Sequence, residues 1–434
     1  MRVLLVSVSL WLSSHGCGDP RAAHQRDAMA SALARAEADA REPTAEVALD
    51  APLDRAALVS AVLARNPDLA AARASWRAIA AEAPAATAWP DPMVTYEVAP
   101  LSVGAAVPFG QRVELRQRLP FPGKRALAGD VVAADADAAR ADYQTLRLEL
   151  AEATVHAFDD YYVAARALEV NAHHRPLLER VQRGALAQVS AARAGQQDVL
   201  EAEGELIALE RDRLALDGQQ RAARTRINRL LRRAVDAALP PPPARLIPAA
   251  RRVEPPAPHP RQAAAEARTR ARTAELAGAR RAFYPDLEVM ASYDSMWSDW
   301  QHQVMVGIGI ELPLARGART GGVERAQAEQ ARAQAELTSV TDALAAQRDD
   351  GQREADEATA ALALYEQRAV PNAQARLDAA LAGFTAGQAT FAQVVMAEHG
   401  LREVELRLEQ ARAELDRKLA TLDRISGRVA GGAP

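Results

Sequence analysis

The chain has 434 residues, of which 53 are basic and 57 acidic, so that its formal net charge is −4. A nearly balanced charge does not indicate a nucleic-acid partner, because nucleic acids attract strongly basic surfaces. Aromatic residues make up only 4% of the chain, which is too few for a thick globular core. The abundance of Ala, Leu, Arg, Glu and Gln at helical spacing favours long, thin helices packed as in coiled coils.

Residues 1–17 have the pattern of a secretory signal peptide. Arg2 precedes an apolar run from Val3 to Leu12, which is too short to span a bilayer as a helix. Cys17, the only cysteine, lies where such a signal is cleaved. Two interpretations are open: Cys17 is the acylated first residue of a lipoprotein, or cleavage occurs nearby without acylation. No later stretch reaches about 18 consecutive apolar residues, so the sequence predicts no transmembrane helix in the mature chain.

The chain then divides into a tether and the first of two repeats. Residues 18–50 are expected to form an N-terminal tether, and residues 51–237 the first repeat. Asn66-Pro67 predicts a helix start, because Asn is a good cap and Pro is favoured at the first helical position. Alternating apolar and polar residues predict strands at about 93–99 and 112–121.

Helical periodicity begins after the second strand, at Lys124, and continues for about 70 residues. Pro176 is expected to kink this helix, because proline has no N–H for the helical hydrogen bond. Gly195 lies in a predicted turn, and Asp198 is expected to cap the helix that returns antiparallel. The first repeat is therefore a hairpin of strands followed by a hairpin of long helices.

A proline-rich linker at 238–260 separates the first repeat from a second one at 261–427. So many prolines are compatible with neither helix nor sheet. The motif Phe283-Tyr284-Pro285-Asp286 echoes Ala88-Trp89-Pro90-Asp91, which lies 195 residues earlier. The strands of the second repeat are predicted at about 286–294 and 303–313.

The helices of the second repeat follow the same plan. Pro371 interrupts a long helix 195 residues after Pro176, and Gly387 lies in the predicted turn. Gln393 occupies the position of Asp198 at the same offset. Residues 428–434 form a C-terminal tail.

Each pair of strands is predicted to form a hairpin with one apolar and one polar face. Strands of about ten residues suit a tilted crossing of a bilayer with about 30 Å of hydrocarbon, and aromatic residues cluster near the strand ends, as in membrane barrels. The residues expected to face lipid are Val94, Tyr96, Val98, Val304, Val306, Ile308 and Ile310. Those expected to line a water-filled lumen are Glu97, Arg112, Glu114, Arg116, Glu288 and Glu311.

Four strands cannot close a barrel, and open sheet edges are not tolerated in lipid. The chain is therefore expected to associate with further copies so that several protomers share one barrel. The alternative is a small water-soluble β-sandwich, but no other stretch of the chain supplies a second sheet to cover the apolar faces.

The two-copy plan resembles the TolC-type outer-membrane efflux proteins over about residues 50 to 427. The resemblance also rests on three motifs: Asn66-Pro67, Trp89-Pro90-Asp91-Pro92, and Pro120-Phe121-Pro122-Gly123-Lys124-Arg125. The last motif looks most like the outer-membrane component of heavy-metal efflux systems of the RND type.

The resemblance implies a fold that is mainly α with a small β part: antiparallel helical hairpins forming an α-barrel, and four strands per chain contributed to a shared trimeric outer-membrane barrel. It implies a passive exit duct in the outer membrane of a Gram-negative-type bacterium, with the helices in the periplasm. The implied partners are a periplasmic adaptor and an inner-membrane pump, with metal cations or small toxic compounds as cargo.

The resemblance also implies a periplasmic entrance at the helical turns. Gly195 and Gly387 match the turn glycines of the family, and Asp198 matches an acidic position at the start of the return helix. In the second repeat, Gln393 and Met396 stand where some members have two aspartates. Phe384 stands where a gating tyrosine occurs.

Other groups of polar residues do not predict catalysis. His173-His174, Asp159-Asp160 and Asp349-Asp350 are each interpreted as solvated helix faces, because adjacent helical residues point about 100° apart and chelate a metal poorly. No catalytic motif is present, and the sequence predicts no enzyme, cofactor or metal site. The alternative to a channel is a structural periplasmic coiled-coil protein, such as an adaptor or scaffold.

Overall fold

The computed structural model describes residues 51–99, 109–190, 195–249, 258–295 and 303–431, together with Ser31 and Ala34. Cys17, the signal peptide, and Trp297 and Trp300 lie outside the described residues, as does nearly all of the tether. The chain divides into two compact units, each of which draws segments from both sequence repeats. The first unit comprises the N-terminal residues, Ala72–Asp142 and Arg261–Val340. The second unit comprises Arg41–Ala71, Tyr143–Pro260 and Thr341–Pro434.

Fourteen elements follow one another along the described chain. They are helices α1 (Arg55–Arg65), α2 (Pro67–Ala81) and α3 (Ala83–Thr87), strands β1 (Met93–Ala99) and β2 (Gly110–Leu119), helices α4 (Lys124–Ser190), α5 (Gln196–Leu230) and α6 (Pro260–Arg281), strands β3 (Asp286–Asp294) and β4 (Gln303–Glu311), helix α7 (Arg316–Leu364), a π-helical turn (Tyr365–Ala369), and helices α8 (Val370–Thr385) and α9 (Phe391–Ile425).

The first unit contains a four-stranded antiparallel sheet in the order β1-β2-β3-β4. β2 and β3 are neighbours, so the hairpin of the first repeat pairs directly with that of the second. The register places Tyr96 opposite Val113, Val113 opposite Tyr293, and Tyr293 opposite Val304. One row across the sheet is therefore apolar in all four strands.

Prolines end two of the strands earlier than the sequence suggests. β2 ends at Leu119 rather than 121, and β4 ends at Glu311 rather than 313. Pro120, Pro122 and Pro313 follow these ends. Proline cannot donate the ladder hydrogen bond, so the strands end before it.

The helices of the second unit bury small and medium-sized residues in several separate clusters rather than in one thick core. The largest cluster packs Phe158 and Tyr162 of α4 against Ile227 of α5 and Leu58 of α1. Leu246 of the proline-rich segment completes it. The described part of that segment, residues 238–249, has neither helix nor strand.

The two corresponding prolines have different local structures. α4 runs through Pro176 without interruption, whereas a π-helical turn directly precedes α8, whose second residue is Pro371. In that turn the N–H of Val370 donates to the carbonyl of Tyr365, a wider spacing than in an α-helix. The helix is therefore interrupted near Pro371, as predicted, and continuous through Pro176.

The predicted helix start at Asn66-Pro67 is confirmed. α2 begins at Pro67, and the Asn66 side chain accepts a hydrogen bond from the N–H of Asp68 at 2.8 Å. α1 has a similar cap, in which the Asp54 carboxylate accepts from the N–H of Ala57 at 2.7 Å. Local sequence alone therefore specifies these two helix starts.

Candidate membrane sheet and helical turns

Alternation along the strands separates the sheet into one apolar and one polar face. The side chains of Val94, Tyr96 and Val98 share a face with those of Val304, Val306, Ile308 and Ile310, because the register aligns both sets with Val113, Leu115, Val289 and Tyr293. Val304, Val306 and Ile308 are 74%, 76% and 74% exposed. Such a continuous exposed apolar surface is rare on a water-soluble monomer and marks a contact with lipid or another protein.

Two glutamines interrupt this apolar face, and each side chain forms a local hydrogen bond. The hydroxyl of Tyr96 donates to the side-chain oxygen of Gln111 at 3.2 Å. The amide of Gln117 donates to the carbonyls of Pro90 at 2.8 Å and Arg118 at 3.0 Å. Their hydrogen bonds reduce the cost of placing amides among apolar side chains.

The opposite face carries a network of ion pairs that crosses the strands. Arg116 of β2 contacts Glu114 at 2.5 Å and Glu288 of β3 at 3.1 Å. Arg118 contacts Glu311 of β4 at 2.7 Å. Exposed pairs of this kind contribute little stability individually, so their main effect is to keep a charged, hydrated surface on this side of the sheet. Glu97 and Arg112 lie opposite each other on the same face.

Asp286 organises the junction between the sheet and α4. Its carboxylate accepts hydrogen bonds from the N–H of Phe121 at 2.8 Å, from Lys124 at 2.7 Å and from Arg118 at 3.0 Å. Phe121 stacks on Tyr284 with ring centroids 4.6 Å apart. The sequence places Asp286 only in a repeated motif; its three donors belong to the other repeat and become visible only in the fold.

The motif from Pro120 to Arg125, which supplies Phe121 and Lys124 to this junction, makes further specific contacts. Gly123 has a φ of 87°, and a side chain there would collide with the Arg281 guanidinium, whose nearest nitrogen is 1.5 Å from the ideal Cβ position. The Arg125 guanidinium lies 3.9 Å from the ring centre of Trp89 and donates to the carbonyl of Thr87 at 3.0 Å. The motif from Pro120 to Arg125 therefore fixes the transition from strand to long helix.

The first helical turn, in the second unit, differs from the sequence prediction. Gly195 is itself the N-cap of α5, and Asp198 is the third residue of the helix rather than its cap. Gly195 has a φ of −87° and a ψ of 155°, an extended conformation open to any residue. The Asp198 carboxylate instead lies in the first turn, where it complements the helix dipole.

The second helical turn uses different chemistry at the corresponding positions. Thr390 caps α9, and its hydroxyl accepts from the N–H of Gln393 at 3.3 Å while the Gln393 side chain accepts from the N–H of Thr390 at 2.9 Å. This reciprocal pair is a capping box. Gly387 has a φ of 73°, so here a glycine does serve the left-handed conformation. Gly195 therefore corresponds in structure to Thr390 and not to Gly387.

An apolar cluster joins the helices that flank the two turns. Phe384 is only 8% exposed and lies in this cluster with Phe391, Ala202 and Val394, so its ring is a packing group within the chain. Met396 is 69% exposed. Asp198 is half-buried and Gln393 exposed, so the polar ends of α5 and α9 are both accessible to solvent.

His174 is buried between two glutamates, contrary to the interpretation of His173-His174 as a solvated pair. Its ring nitrogens lie 2.8 Å from Glu398 and 2.8 Å from Glu405, and His174 and Glu398 are 1% and 0% exposed. Burial lowers the pKa of His174, but the two hydrogen-bonded carboxylates outweigh it and raise the pKa to about 9. The protonated imidazole therefore bridges α4 and α9. His173, by contrast, is exposed.

Asp159 is also fully buried, which contradicts its assignment to a solvated face. Burial first and the nearby Asp416 carboxylate second raise the pKa of Asp159 to about 9. Asp416 accepts hydrogen bonds from Arg55 and from the N–H of Ala249, whereas neither carboxylate oxygen of Asp159 has a hydrogen-bond partner in the described chain. Asp349-Asp350 is exposed as predicted and pairs with Arg353.

Among the described residues, no group of three or more His, Cys, Asp or Glu side chains is arranged to hold a metal ion. No helix in the described ranges combines the length and apolar character required to cross a membrane.

Solved structures share this arrangement at low sequence identity. The outer-membrane channel OprN matches with a TM-score of 0.70 and 20% identity, covering 85% of this chain and 89% of that one. CusC, whose transmembrane channel formation has been described, matches with a TM-score of 0.74 and 16% identity, covering 87% and 93%. The outer membrane protein VceC from Vibrio cholerae matches with a TM-score of 0.73 and 18% identity, covering 86% and 95%. A comparison with curated proteins gave no match.

The fold is that of the TolC-type outer-membrane channels, as predicted from the two-copy plan. Residues 257–428 match the family described as outer membrane efflux protein. This match spans the second repeat and part of its preceding linker.

Replacing His174 with Gln should destabilise the protein most at neutral and acidic pH. The pKa of His174 is raised from the ordinary 6.5 to about 9, so its contacts favour the protonated form by about 3 kcal/mol. That stability is fully present below pH 6.5 and is lost as the pH rises through 9. Thermal unfolding in detergent, followed by circular dichroism from pH 6 to pH 10, should show a difference from the wild type that shrinks with pH. The exposed neighbour provides the control, since His173→Gln should change little at any pH.

Replacing Asp159 with Asn should stabilise the protein increasingly as the pH rises. The pKa of Asp159 is about 9 in the folded state against an ordinary 3.8, so folding requires a proton that the unfolded chain releases above pH 4. The stability associated with this proton is present below pH 3.8 and falls by about 1 kcal/mol per pH unit until about pH 9. The same unfolding measurement, made on Asp159→Asn and Asp160→Asn, tests this. A pH-independent effect of Asp159→Asn would contradict the buried, protonated carboxyl group.

Proposed function

We propose that this chain is the passive exit duct of a tripartite export system. Three copies would place their sheets side by side in the outer membrane as one 12-stranded barrel, and their helices would form a periplasmic tunnel. A periplasmic adaptor and an inner-membrane pump would deliver cargo to it. The proposal rests mainly on the sheet, whose apolar face is exposed and whose outer strands, β1 and β4, each have only one neighbour in the described chain.

The edges of the sheet support association with further copies. Unpaired N–H and C=O groups in hydrocarbon cost several kcal/mol each, so β1 and β4 require partners there. Pairing β4 of one copy with β1 of the next would satisfy both edges by the same contact. Repetition of one such contact around an axis closes into a ring, which gives a barrel without edges.

The polar face supports a water-filled lumen. Glu97, Arg112, Glu114, Arg116, Glu288 and Glu311 all lie on the face opposite the exposed aliphatic residues. Inside a shared barrel these side chains would line water, and the duct would leave the choice of cargo to the pump. Metal cations are the cargo suggested by the Pro-Phe-Pro-Gly-Lys-Arg motif, with small toxic compounds as the alternative.

The helical turns are proposed as the periplasmic entrance. In a trimer, Asp198, Gln393 and Met396 would each occur three times around the opening, at the accessible starts of α5 and α9. The apolar cluster that joins the two turns would keep the starts of α5 and α9 together. With Asp198 as the only acidic residue of the three, divalent cations should bind the entrance weakly.

Replacing Ile308 with Arg should impair assembly. The side chain is 74% exposed on the apolar face, and an arginine at the lipid-facing midplane of a barrel costs about 2–4 kcal/mol. Met305→Arg provides a matched control on the polar face of the same strand, opposite Ser292. The yield of a detergent-extracted, heat-modifiable oligomer should fall for Ile308→Arg and not for Met305→Arg.

Equal yields for these two variants would contradict the barrel. A wild-type protein that remains a water-soluble monomer would instead support the structural coiled-coil alternative.

Introducing acidic residues at the entrance should create a block by divalent cations. Single-channel conductance in planar bilayers should be small for the wild type. The double variant Gln393→Asp with Met396→Asp should acquire a block by divalent cations, because three copies would add six carboxylates to the ring. Asp198→Ala should weaken any residual block.

Each single variant, Gln393→Asp or Met396→Asp, adds only three carboxylates and should produce less block than the double variant. If all variants conduct alike, the entrance lies elsewhere in the chain.

A further inference from the structure

A groove rich in arginine lies where α5 ends, within the second unit. Its volume is about 610 Å³. Its charged lining residues are Arg226, Arg229, Arg232, Arg233 and Asp68, and Asn66, Pro67, Leu150 and Leu230 complete the lining. Four guanidinium groups against one carboxylate give this groove, here called the arginine groove, a positive potential.

Two of the four arginines are paired within the chain, and two are not. Arg226 forms an ion pair with Asp160, and the guanidinium of Arg233 donates to a backbone carbonyl at 3.3 Å. The side chains of Arg229 and Arg232 are exposed, and neither has a hydrogen-bond or ion-pair partner among the residues that the structure describes. These two guanidinium groups therefore keep all their N–H donors for a ligand.

The backbone of Arg232 is strained. Its φ is 57°, a left-handed conformation that glycine adopts easily, and within the described ranges it is the only non-glycine residue with a positive φ. Arg232 follows the C-cap of α5. Its N–H donates to the carbonyl of Arg229 at 3.2 Å, and the N–H of Arg233 donates to that of Asn228 at 2.9 Å. This is a Schellman motif, in which glycine is the usual residue at this position.

The second repeat contains the same motif with the usual residue. At the end of α9 the N–H of Gly427 donates to the carbonyl of Arg424 at 2.9 Å, and that of Arg428 to Asp423 at 2.8 Å. Gly427 has a φ of 75° and lies 195 residues after Arg232, the offset that relates the two repeats. The turn itself therefore does not require an arginine, and the strain indicates a role for the side chain in the groove.

The lining indicates the chemistry of the ligand. Guanidinium groups bind carboxylates and phosphates through paired N–H donors. The half-buried side chains of Leu150 and Leu230, together with Pro67, add an apolar wall. A free inorganic anion is much smaller than the groove and would leave this wall uncovered. A protein segment that carries both acidic and apolar side chains fits both parts.

We propose that the arginine groove binds an acidic segment of a partner protein, whose carboxylates pair with Arg229 and Arg232. α5 has 35 residues between its turn and its last residue, a length of about 50 Å. The groove is therefore a docking site separate from the proposed entrance. The inference goes beyond the proposed function, because binding at this site requires no conduction through a barrel.

Fluorescence anisotropy with a labelled hexaglutamate peptide tests the site on the purified, full-length protein in detergent. The wild type should bind the peptide, and more weakly as salt is added. Arg229→Ser and Arg232→Gly should each raise the Kd about tenfold, because each removes a charge-assisted contact. Arg183→Ser is the matched control and should not change the Kd, since this exposed arginine lies about 50 Å along α4 from Leu150.

Arg232→Gly separates binding from folding. Glycine relieves the left-handed strain, so this variant should unfold at no lower temperature than the wild type, as followed by circular dichroism, while it binds the peptide more weakly. An arginine with a purely structural role would give the reverse, a lower unfolding temperature with an unchanged Kd, and that result would overturn the proposal.

The remaining outcomes also decide against the acidic segment. Equal affinities of the wild type and the two groove variants would overturn it, as would hexaglutamine bound as tightly as hexaglutamate. Binding to phosphatidylglycerol vesicles or to isolated cell walls, without binding of hexaglutamate, would assign the groove to a lipid phosphate or to a cell-wall polymer instead.

Discussion

Backbone hydrogen bonding in an apolar environment is the constraint on which the rest of this structure depends. In the part of the chain that the structure describes, the aliphatic residues of the sheet on β1 and β4 are largely exposed. Lipid can cover such a face, but it cannot satisfy the outer strand edges. The proposed barrel, shared between copies, would meet both requirements at once, because lipid would cover the apolar face and a neighbouring copy would pair with each edge strand.

The strand-to-helix junction shows how the two repeats cooperate. Asp286 belongs to the second repeat, yet its donors Phe121, Lys124 and Arg118 belong to the first. Gly123 accommodates Arg281 in the same region. Each repeat thus completes the junction of the other, and the central β2–β3 pairing extends this dependence into the sheet.

The helical parts of the two repeats differ in how the return helix is capped and in which charged groups that helix buries. α5 and α9 begin 195 residues apart, but Gly195 caps the first and a Thr390 capping box caps the second. α9 buries Glu398 and Asp416, which contact His174 and Arg55 from other helices. The second repeat thus ties its return helix to the first through charged groups, which are expensive to bury and are retained only with partners. Asp159 differs from them, because no described residue forms a hydrogen bond to its carboxyl group, Arg417 lies 3.8 Å away, and its raised pKa keeps it neutral at physiological pH.

The sequence by itself determined the features that depend on local periodicity. In the strands, a period of two assigns each side chain to a face regardless of its surroundings, so that the faces of Val94, Ile308 and Glu288 follow directly from the pattern. The helix start at Asn66-Pro67 is equally local. The long helices are different, because alanines and charged residues surround them almost evenly and mark no single buried side. Which charges are buried there was decided by the neighbouring helices, which enclose His174 and Asp159 and leave His173 exposed. The role of Asp286 was likewise decided by donors that lie far away in sequence.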